Sequence, residues 1–184
     1  MRAFWSSEYL LLGLLVEQPL HGYELSRLVR DDQALRAIWH LKRSEVYFLL
    51  GKLQSQGLIA EVTAGQQDCA ATSRQSGGPP RQVYEVTAEG LAALDEWLEQ
   101  PVSSPRQLRA AFLAKLYLAW RCNLASAPAL LEEQLQVLRR WQERLSRSSG
   151  SDPFLVLANK LRLAQVEAAS NALEEFQAIL GSEA

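Results

Sequence analysis

The stretch 43–57 most constrains what this chain can fold into. Its large apolar residues recur at helical spacing and are followed by a glycine: Val46, Leu49, Leu50, Leu53 and then Gly57. Positions i, i+3, i+4 and i+7 lie on one side of an α-helix, and glycine commonly ends one. The spacing therefore predicts an amphipathic helix over about 43–56. Leucine-rich patterns predict two earlier helices, one from about Ser7 to Glu17 and one starting near His21.

A β-hairpin is predicted directly after the third helix. Residues 58–63 are typical of a short strand, and residues 81–87 alternate between apolar and polar side chains. Residues 64–80 hold three glycines, two prolines and almost no large apolar side chain. Two short strands around a long polar loop indicate a hairpin with an extended tip.

Beyond Pro101 the pattern is helical throughout. The last helix starts near Pro153, and at 1.5 Å per residue it would be about 40 Å long. Such a helix carries more apolar surface than an ~80-residue helical half needs, so we expect a second copy of the chain to cover the excess. The residues assigned to this dimer contact are Trp5, Phe154, Leu157, Leu161, Ala168, Phe176 and Leu180.

Composition narrows the class of protein. The chain has 184 residues, is 48% hydrophobic and carries a net charge of −2. Its longest apolar run, Leu10–Val16, is far shorter than the ~20 residues that span a bilayer. The two cysteines do not make a disulfide scaffold, so we expect a cytoplasmic protein without a membrane segment. The two histidines form no metal-binding set with the cysteines, and we expect no metal and no cofactor.

The order helix, helix, helix, strand, loop, strand is that of a winged helix-turn-helix. In this fold the third helix enters a DNA major groove ~12 Å wide, and the hairpin loop, or wing, reaches neighbouring phosphates. The buried stripe turns Ser44, Tyr47, Phe48, Gly51 and Lys52 toward other faces, with Lys42 and Arg43 at the start of the helix. Residues 40–81 hold five basic side chains against three acidic ones, a mild excess that a solvated surface also explains.

Three segments resemble the PadR family of transcriptional regulators: LLLGLLVEQPLHGYEL at 10–25, SEVYFLLGKLQSQGLI at 44–59 and RQVYEVTAEG at 81–90. The resemblance covers about the first 100 residues. LAKLYLAW at 113–120 is similar to the longer subfamily, whose helical C-terminal domain forms a homodimer. The expected fold is mainly α with a small β-hairpin: a winged helix-turn-helix domain over 1–100, then an all-α dimerisation domain over 101–184.

The resemblance also implies roles for particular residues. Ser44 and Tyr47 match third-helix positions that meet the DNA backbone, and Lys52 matches a basic position late in that helix. Arg81 matches the arginine at the base of the wing, and Tyr84 its neighbour in the strand. Tyr23 lies near the start of the second helix, which abuts phosphate in such folds. Lys42, Arg43 and Arg74 complete the predicted DNA contacts on charge alone. Gln82 stands where the family often has a second basic residue, and the wing is longer than usual, so we expect weak non-specific affinity.

The function expected from these features is a dimeric repressor that an effector releases from its double-stranded operator. The five basic residues of each protomer make ten in a dimer. If all ten met phosphates, the slope of log K for DNA binding against log salt concentration would reach about −9. By resemblance, Trp97 and Trp120 are candidates for holding a small aromatic effector. Cys69 is an alternative, redox-based control point.

Purely structural interpretations of some of these residues, and other functions, stay open. Tyr47 is also consistent with a core tyrosine whose hydroxyl reaches the surface. Gly22 is consistent with a residue that only closes a turn. A winged-helix module that binds only other proteins is the alternative function. An enzyme is not expected, because the chain has no glycine-rich phosphate loop, HExxH motif or nucleophile elbow.

Overall fold

The computed structural model describes residues 6–62, 82–121, 126–147 and 152–182. Predicted functional residues outside these ranges are Trp5, Cys69, Arg74 and Arg81. The fold is mainly α-helical with a small β-sheet, as the sequence predicts. The chain divides into two compact units, residues 1–97 and 98–184, called here the N-terminal and C-terminal units.

The N-terminal unit begins with helices packed around leucines. The helices are α1 (Ser6–Glu17), α2 (Gly22–Asp31), α3 (Gln33–Ile38), α4 (Arg43–Ser55) and α5 (Ala88–Glu99). In α1, every residue from 10 to 15 is buried, so this helix lies in the middle of the unit rather than on its edge. The third helix of the sequence prediction is α4. The structure places α3 as a separate short helix ahead of it, because Asp32 ends α2 and its side chain accepts a hydrogen bond from the Leu35 backbone N–H at 3.0 Å.

A three-stranded antiparallel sheet closes this unit. Its strands are β1 (Leu20–His21), β2 (Ile59–Val62) and β3 (Val83–Val86), in the order β1-β3-β2. The hairpin pair β2–β3 matches the prediction. Strand β1 was not predicted, since two residues carry no periodicity; it is identified only by its pairing, Leu20 with Tyr84 and His21 with Val83.

Two glycines fix how α4 and α5 meet the sheet. Gly57, with φ of 74°, ends α4: its N–H donates to the Gln54 carbonyl at 3.0 Å, and the Leu58 N–H donates to the Leu53 carbonyl at 3.0 Å. A Cβ on Gly90 would lie 2.1 Å from the Leu58 carbonyl oxygen. The start of α5 therefore packs directly on the backbone that leads from α4 into β2.

The C-terminal unit is helical. Its elements are α6 (Pro105–Gln107), a π-helical turn over Leu108–Phe112, α7 (Leu113–Arg121), α8 (Ser126–Ser146) and α9 (Pro153–Ser182). The core lies mainly between α8 and α9, around Leu131, Leu135, Leu138 and Val166.

The structure divides the α9 residues of the expected dimer contact between two faces. The sequence assigned Phe154, Leu157, Leu161, Ala168, Phe176 and Leu180 to one contact. Instead, Val166 and Leu173 face the core, with Phe176 and Leu180 packed partly against it. Phe154, Leu157 and Leu161 are 77%, 53% and 57% exposed, and Ala168 is also exposed. Residues spaced three or four apart shift gradually around the axis of a 30-residue helix. The residues near the start of α9 and those near its end therefore lie on two different faces.

Candidate nucleic-acid interface

The outward face of α4 is open, and its opposite face is buried. Val46, Leu49, Leu50 and Leu53 fix the helix on the N-terminal unit. Ser44, Tyr47, Phe48 and Gly51 then point away from it, and all four are exposed. These four residues form an outward face, hereafter the α4 face, of the kind that a helix packed on its other side can present to a DNA major groove.

A glycine sets the distance between α2 and α4. A Cβ on Gly22 would lie 2.8 Å from Cε1 of Tyr47 and 3.2 Å from Cδ1 of Leu50. A residue with any side chain would therefore push the Tyr47 ring out of place. Gly22 thus does more than close a turn, because its missing side chain makes room for a ring at the α4 face.

An arginine lies over two tyrosine rings at the start of α4. The guanidinium carbon of Arg43 is 5.1 Å from the ring centroid of Tyr23 on α2 and 5.6 Å from that of Tyr47. Both distances are within the range of cation–π attraction. The rings limit where the guanidinium can go while leaving its N–H donors available. Tyr23 and Tyr47 are 50% and 41% exposed, so the cluster lies at the surface.

Neighbouring charges are largely neutralised within their own helices. The Lys42 backbone N–H donates to Oε2 of Glu45 at 2.6 Å, so this carboxylate caps the first turn of α4. On α2, Arg27 and Arg30 both pair with Asp31, at 3.2 Å and 2.8 Å. The hydrogen bond from Arg30 lowers the pKa of the Asp31 carboxyl. Within the described ranges no carboxylate pairs with Arg43, which keeps its charge for an external anion.

A family model described as "Transcriptional regulator PadR-like family" matches residues 11–96, from α1 through α5. This range contains the α4 face and both strands of the hairpin. Residues 11–96 of this chain are therefore similar to the PadR-like family of transcriptional regulators.

Individual proteins show the same similarity. The "Negative transcriptional regulator PadR" of Bacillus subtilis (strain 168) is 28% identical over 144 residues, 78% of this chain and 71% of that one. A crystal structure of Bacillus subtilis PadR in complex with operator DNA is 23% identical, with a TM-score of 0.46, covering 97% of this chain and 99% of that chain. A structure of the same protein with p-coumaric acid is 22% identical, with a TM-score of 0.43, covering 96% and 99%.

Lys52, at the end of α4, has a partner within the N-terminal unit. Its ammonium is ion-paired with Oε1 of Glu8 on α1, a residue only 1% exposed. The sequence placed Lys52 among the DNA contacts, but the structure gives its charge to a buried carboxylate. No sequence signal indicates the pair, because its members are 44 residues apart and on different helices.

Tyr84 likewise points inward. It is 6% exposed, and its hydroxyl donates to Oε1 of Gln82 at 3.1 Å. Gln82 in turn donates from Nε2 to Glu61 at 3.2 Å, and its carbonyl lies 3.3 Å from Nδ1 of His21. Burial, and secondarily the charge of Glu61, raise the pKa of Tyr84. The predicted DNA-contacting tyrosine is therefore part of a hydrogen-bonded cluster at the start of β3, together with the glutamine that departs from the family pattern.

Phe48 is a candidate site residue that the predicted DNA contacts omit. It is 72% exposed in the middle of the α4 face, beside Tyr47. A ring exposed to this extent adds little to the core of the N-terminal unit, which makes it a candidate for contact with another molecule. The signal was in the sequence, since Phe48 is four residues after Ser44 and three before Gly51, which places all three on one helical side.

The two tryptophans predicted to hold an effector lie in different units. Trp97 stacks on Tyr9 of α1, with ring centroids 4.7 Å apart and planes within 7°. Trp120, in α7, is 56% exposed. Trp97 is thus already engaged by an aromatic neighbour of its own unit.

Two further features are absent from the described ranges. No group of three or more His, Cys, Asp or Glu residues is placed there to hold a metal ion. Nor does any helix in those ranges combine the length and the hydropathy needed to cross a membrane.

Proposed function

We propose that this PadR-like regulator is a cytoplasmic, dimeric repressor that binds double-stranded operator DNA through the α4 face, without an enzymatic activity. The observation that carries the proposal is the Arg43 cluster beside an exposed α4 face whose opposite side is fully packed. The printed name of the Bacillus subtilis relative, a negative regulator, supports repression as the direction of control.

The cationic and the aromatic side chains have different roles at the DNA. Arg43 and Lys42 neutralise phosphates beside the start of α4, where unsatisfied backbone N–H groups also favour anions. Tyr23 and Tyr47 hold the Arg43 guanidinium in position, and Tyr23 itself lies beside the phosphate path. Contacts to phosphate orient the protein without reading sequence.

Sequence is read from the middle of the α4 face. The Ser44 hydroxyl can donate to or accept from base edges, and the Phe48 ring suits the methyl group of thymine. Arg74 and Arg81 of the wing add phosphate contacts in this proposal, on the strength of the sequence alone. Lys52 and Tyr84 act indirectly, by fixing α4 on α1 and by holding the base of the wing.

Dimerisation is assigned to the exposed apolar side of α9. Phe154, Leu157 and Leu161 form an exposed stripe that the core of the C-terminal unit does not cover. A contiguous apolar surface of this kind marks a protein interface. We expect Leu157→Glu with Leu161→Glu to give a monomer by sedimentation velocity, while Leu91→Glu, at an exposed leucine of α5, leaves the dimer intact. A dimer that survives the double substitution would remove α9 from the interface.

Release by a small aromatic effector completes the proposed cycle. Trp97 and Trp120 are its sequence-based candidates, and Trp120 is the more accessible of the two. Titration of indole fluorescence with p-coumaric acid tests this assignment. Quenching that persists in both Trp120→Phe and Trp97→Phe would place the effector elsewhere.

The experiment that tests DNA binding is selection of genomic fragments by the purified full-length chain, followed by gel retardation. We expect enrichment of a few sites with twofold symmetry, including the region upstream of the protein's own gene. Binding confined to unselected DNA, or to none, would contradict a sequence-specific regulator. The retarded fragment also supplies the operator for the measurements below.

A further inference from the structure

A basic cavity lies between α6, α8 and α9 in the C-terminal unit. Its volume is about 720 Å³, which is within the range of small-molecule sites. Each of the three helices contributes one arginine to the lining, and these cavity arginines are Arg106, Arg144 and Arg162. Among the described residues that line the cavity there is no Asp or Glu. The cavity therefore brings three positive charges together without an acidic side chain beside them.

The cavity arginines differ from two neighbouring arginines of α8, which have counter-charges within the unit. Nη2 of Arg139 lies 3.5 Å from Oε1 of Glu174 on α9. Nη2 of Arg147 lies 3.7 Å from Oε2 of Glu143, one turn earlier on α8. In the part of the chain that the structure describes, no ion pair involves a cavity arginine. All three are exposed, so their guanidinium groups are accessible to an anion from solution.

The neutral part of the lining favours a polar ligand over a flat apolar one. Trp141 is the aromatic residue of the lining, and because it is only 6% exposed it offers little of its ring to the cavity. Hydroxyl and amide groups come from Ser103, Ser104, Asn159 and Gln165. Such groups donate hydrogen bonds to anionic oxygens. Recognition in this cavity therefore depends on charge and hydrogen bonds rather than on ring stacking.

The number of arginines distinguishes between the two common anionic groups. A guanidinium group binds a carboxylate or a phosphate with two parallel hydrogen bonds. A carboxylate has two oxygens, which a single arginine already engages, whereas a terminal phosphoryl group has three acceptor oxygens. Two linked phosphoryl groups therefore provide acceptors for all three guanidinium groups, together with the negative charge that balances them.

We propose that this cavity binds a small diphosphate, whose phosphoryl oxygens accept hydrogen bonds from Arg106, Arg144 and Arg162. Inorganic pyrophosphate and nucleoside diphosphates share this chemistry. The site lies within the C-terminal unit and does not rest on operator binding or on the aromatic effector proposed above. Its test uses no DNA, so a failure of the cavity and a failure of operator binding remain separate results.

The test is isothermal titration calorimetry of the full-length protein with pyrophosphate, at about 0.15 M salt and without divalent cations. At this ionic strength the attraction between exposed charges is screened beyond about 8 Å, so distant basic groups contribute little. We expect one pyrophosphate bound per chain. Arg144→Gln and Arg162→Gln should each weaken it at least about tenfold, because a hydrogen bond between charged groups is lost. Arg140→Gln, at an exposed arginine of α8 outside the cavity, should leave binding unchanged.

Titration with ADP and with adenosine distinguishes the two sources of the diphosphate. ADP that binds as tightly as pyrophosphate, and is lost in the same variants, assigns the cavity to nucleotides. Pyrophosphate binding without ADP binding assigns it to the free anion. Adenosine has no phosphate, and we expect it not to bind in either case.

Three results would overturn the proposal. No saturable binding of pyrophosphate would leave the cavity without this ligand class. Unchanged affinity in both Arg144→Gln and Arg162→Gln would place the anion elsewhere on the chain. An equal loss in Arg140→Gln would reduce the effect to general charge attraction. Circular dichroism spectra of the variants should match the wild type, since the substituted side chains are exposed.

Discussion

Lys52 of α4 forms an ion pair with Glu8 of α1, and the carboxylate is almost completely buried. The pair connects the helix that carries the proposed DNA face to the leucine-rich helix at the middle of the unit. The second carboxylate oxygen of Glu8 has no hydrogen-bond partner among the described residues. Lys52 is therefore the group that compensates this buried charge.

Removing Lys52 should destabilise the N-terminal unit. Lys52→Gln leaves the Glu8 carboxylate buried without a counter-charge, and we expect the free energy of unfolding to fall by about 3 kcal/mol. Urea denaturation followed by circular dichroism measures this change. Lys160→Gln, at an exposed lysine of α9, should change stability by less than about 0.5 kcal/mol. A loss under about 1 kcal/mol in Lys52→Gln would mean that Glu8 does not depend on the pair.

Two glycines on facing helices should respond in opposite directions to alanine. Gly22→Ala places a methyl group 2.8 Å from the Tyr47 ring, and we expect a stability loss of about 1–3 kcal/mol together with weaker operator binding. Gly51→Ala meets nothing within 4 Å and should raise stability by about 0.5–1 kcal/mol. Denaturant midpoints and operator affinity measured on both variants test this. Equal stability of the two would contradict the close packing of α2 on α4.

Phe48 should read thymine methyl groups in the operator. Phe48→Ala leaves the fold intact because the side chain is 72% exposed, and we expect operator affinity to fall by about 1–3 kcal/mol. Replacing operator thymines by uracils should weaken the wild type at one or two positions and leave Phe48→Ala unaffected there. Fluorescence anisotropy on the substituted duplexes measures both effects. Equal sensitivity of the two proteins to uracil would assign the ring another role.

The stability of the C-terminal unit should rise with pH because of Lys115. This lysine is 3% exposed, its ammonium donates to the Gln100 carbonyl at 2.5 Å, and burial lowers its pKa to about 8. Between that value and the ordinary pKa of about 10.5, the unfolded chain holds a proton that the folded chain has released. Stability therefore increases with pH in this window, and it is lowest below the folded pKa, where the buried amine must be charged.

The size of this increase in stability follows from the shift in the pKa of Lys115. From about pH 7 to about pH 9.5 we expect Lys115 to add about 2 kcal/mol to the free energy of unfolding. Above about pH 10 the half-buried Tyr9 and the buried Tyr84 act in the opposite direction, because burial raises the pKa of both hydroxyls. Urea denaturation at several pH values checks this, and Lys115→Met should remove the rise. A wild type and variant with parallel pH profiles would refute it.

Sequence periodicity predicted the elements that bury a repeating face. The helix over 43–56 differs by one residue from α4, and the hairpin strands were found because alternation and a glycine-rich loop mark them. Strand β1 was not predicted, because two residues are too few to show the alternation of a strand. The α9 residues assigned to one dimer contact lie on two faces, because residues three or four apart drift around a long helix.

The candidate site was predicted less well than the fold, for a physical reason. Spacing shows which side chains leave a buried face, and it placed Ser44 and Tyr47 outward as the structure does. It does not show which charges find a partner across the fold. Lys52 and Tyr84 resemble DNA contacts in sequence. In the structure, Lys52 pairs with Glu8, which is 44 residues away, and the Tyr84 hydroxyl donates to Gln82, which is two residues away.

The most direct test of the central claim is the salt dependence of operator affinity for the wild type and Arg43→Gln, with Arg140→Gln as the control. If Arg43 meets a phosphate in each protomer, its loss should weaken binding and make the slope of log K against log salt shallower by about 2 per dimer. Arg140→Gln should match the wild type in both respects. An Arg43→Gln protein with the wild-type affinity and slope would contradict DNA binding through the α4 face.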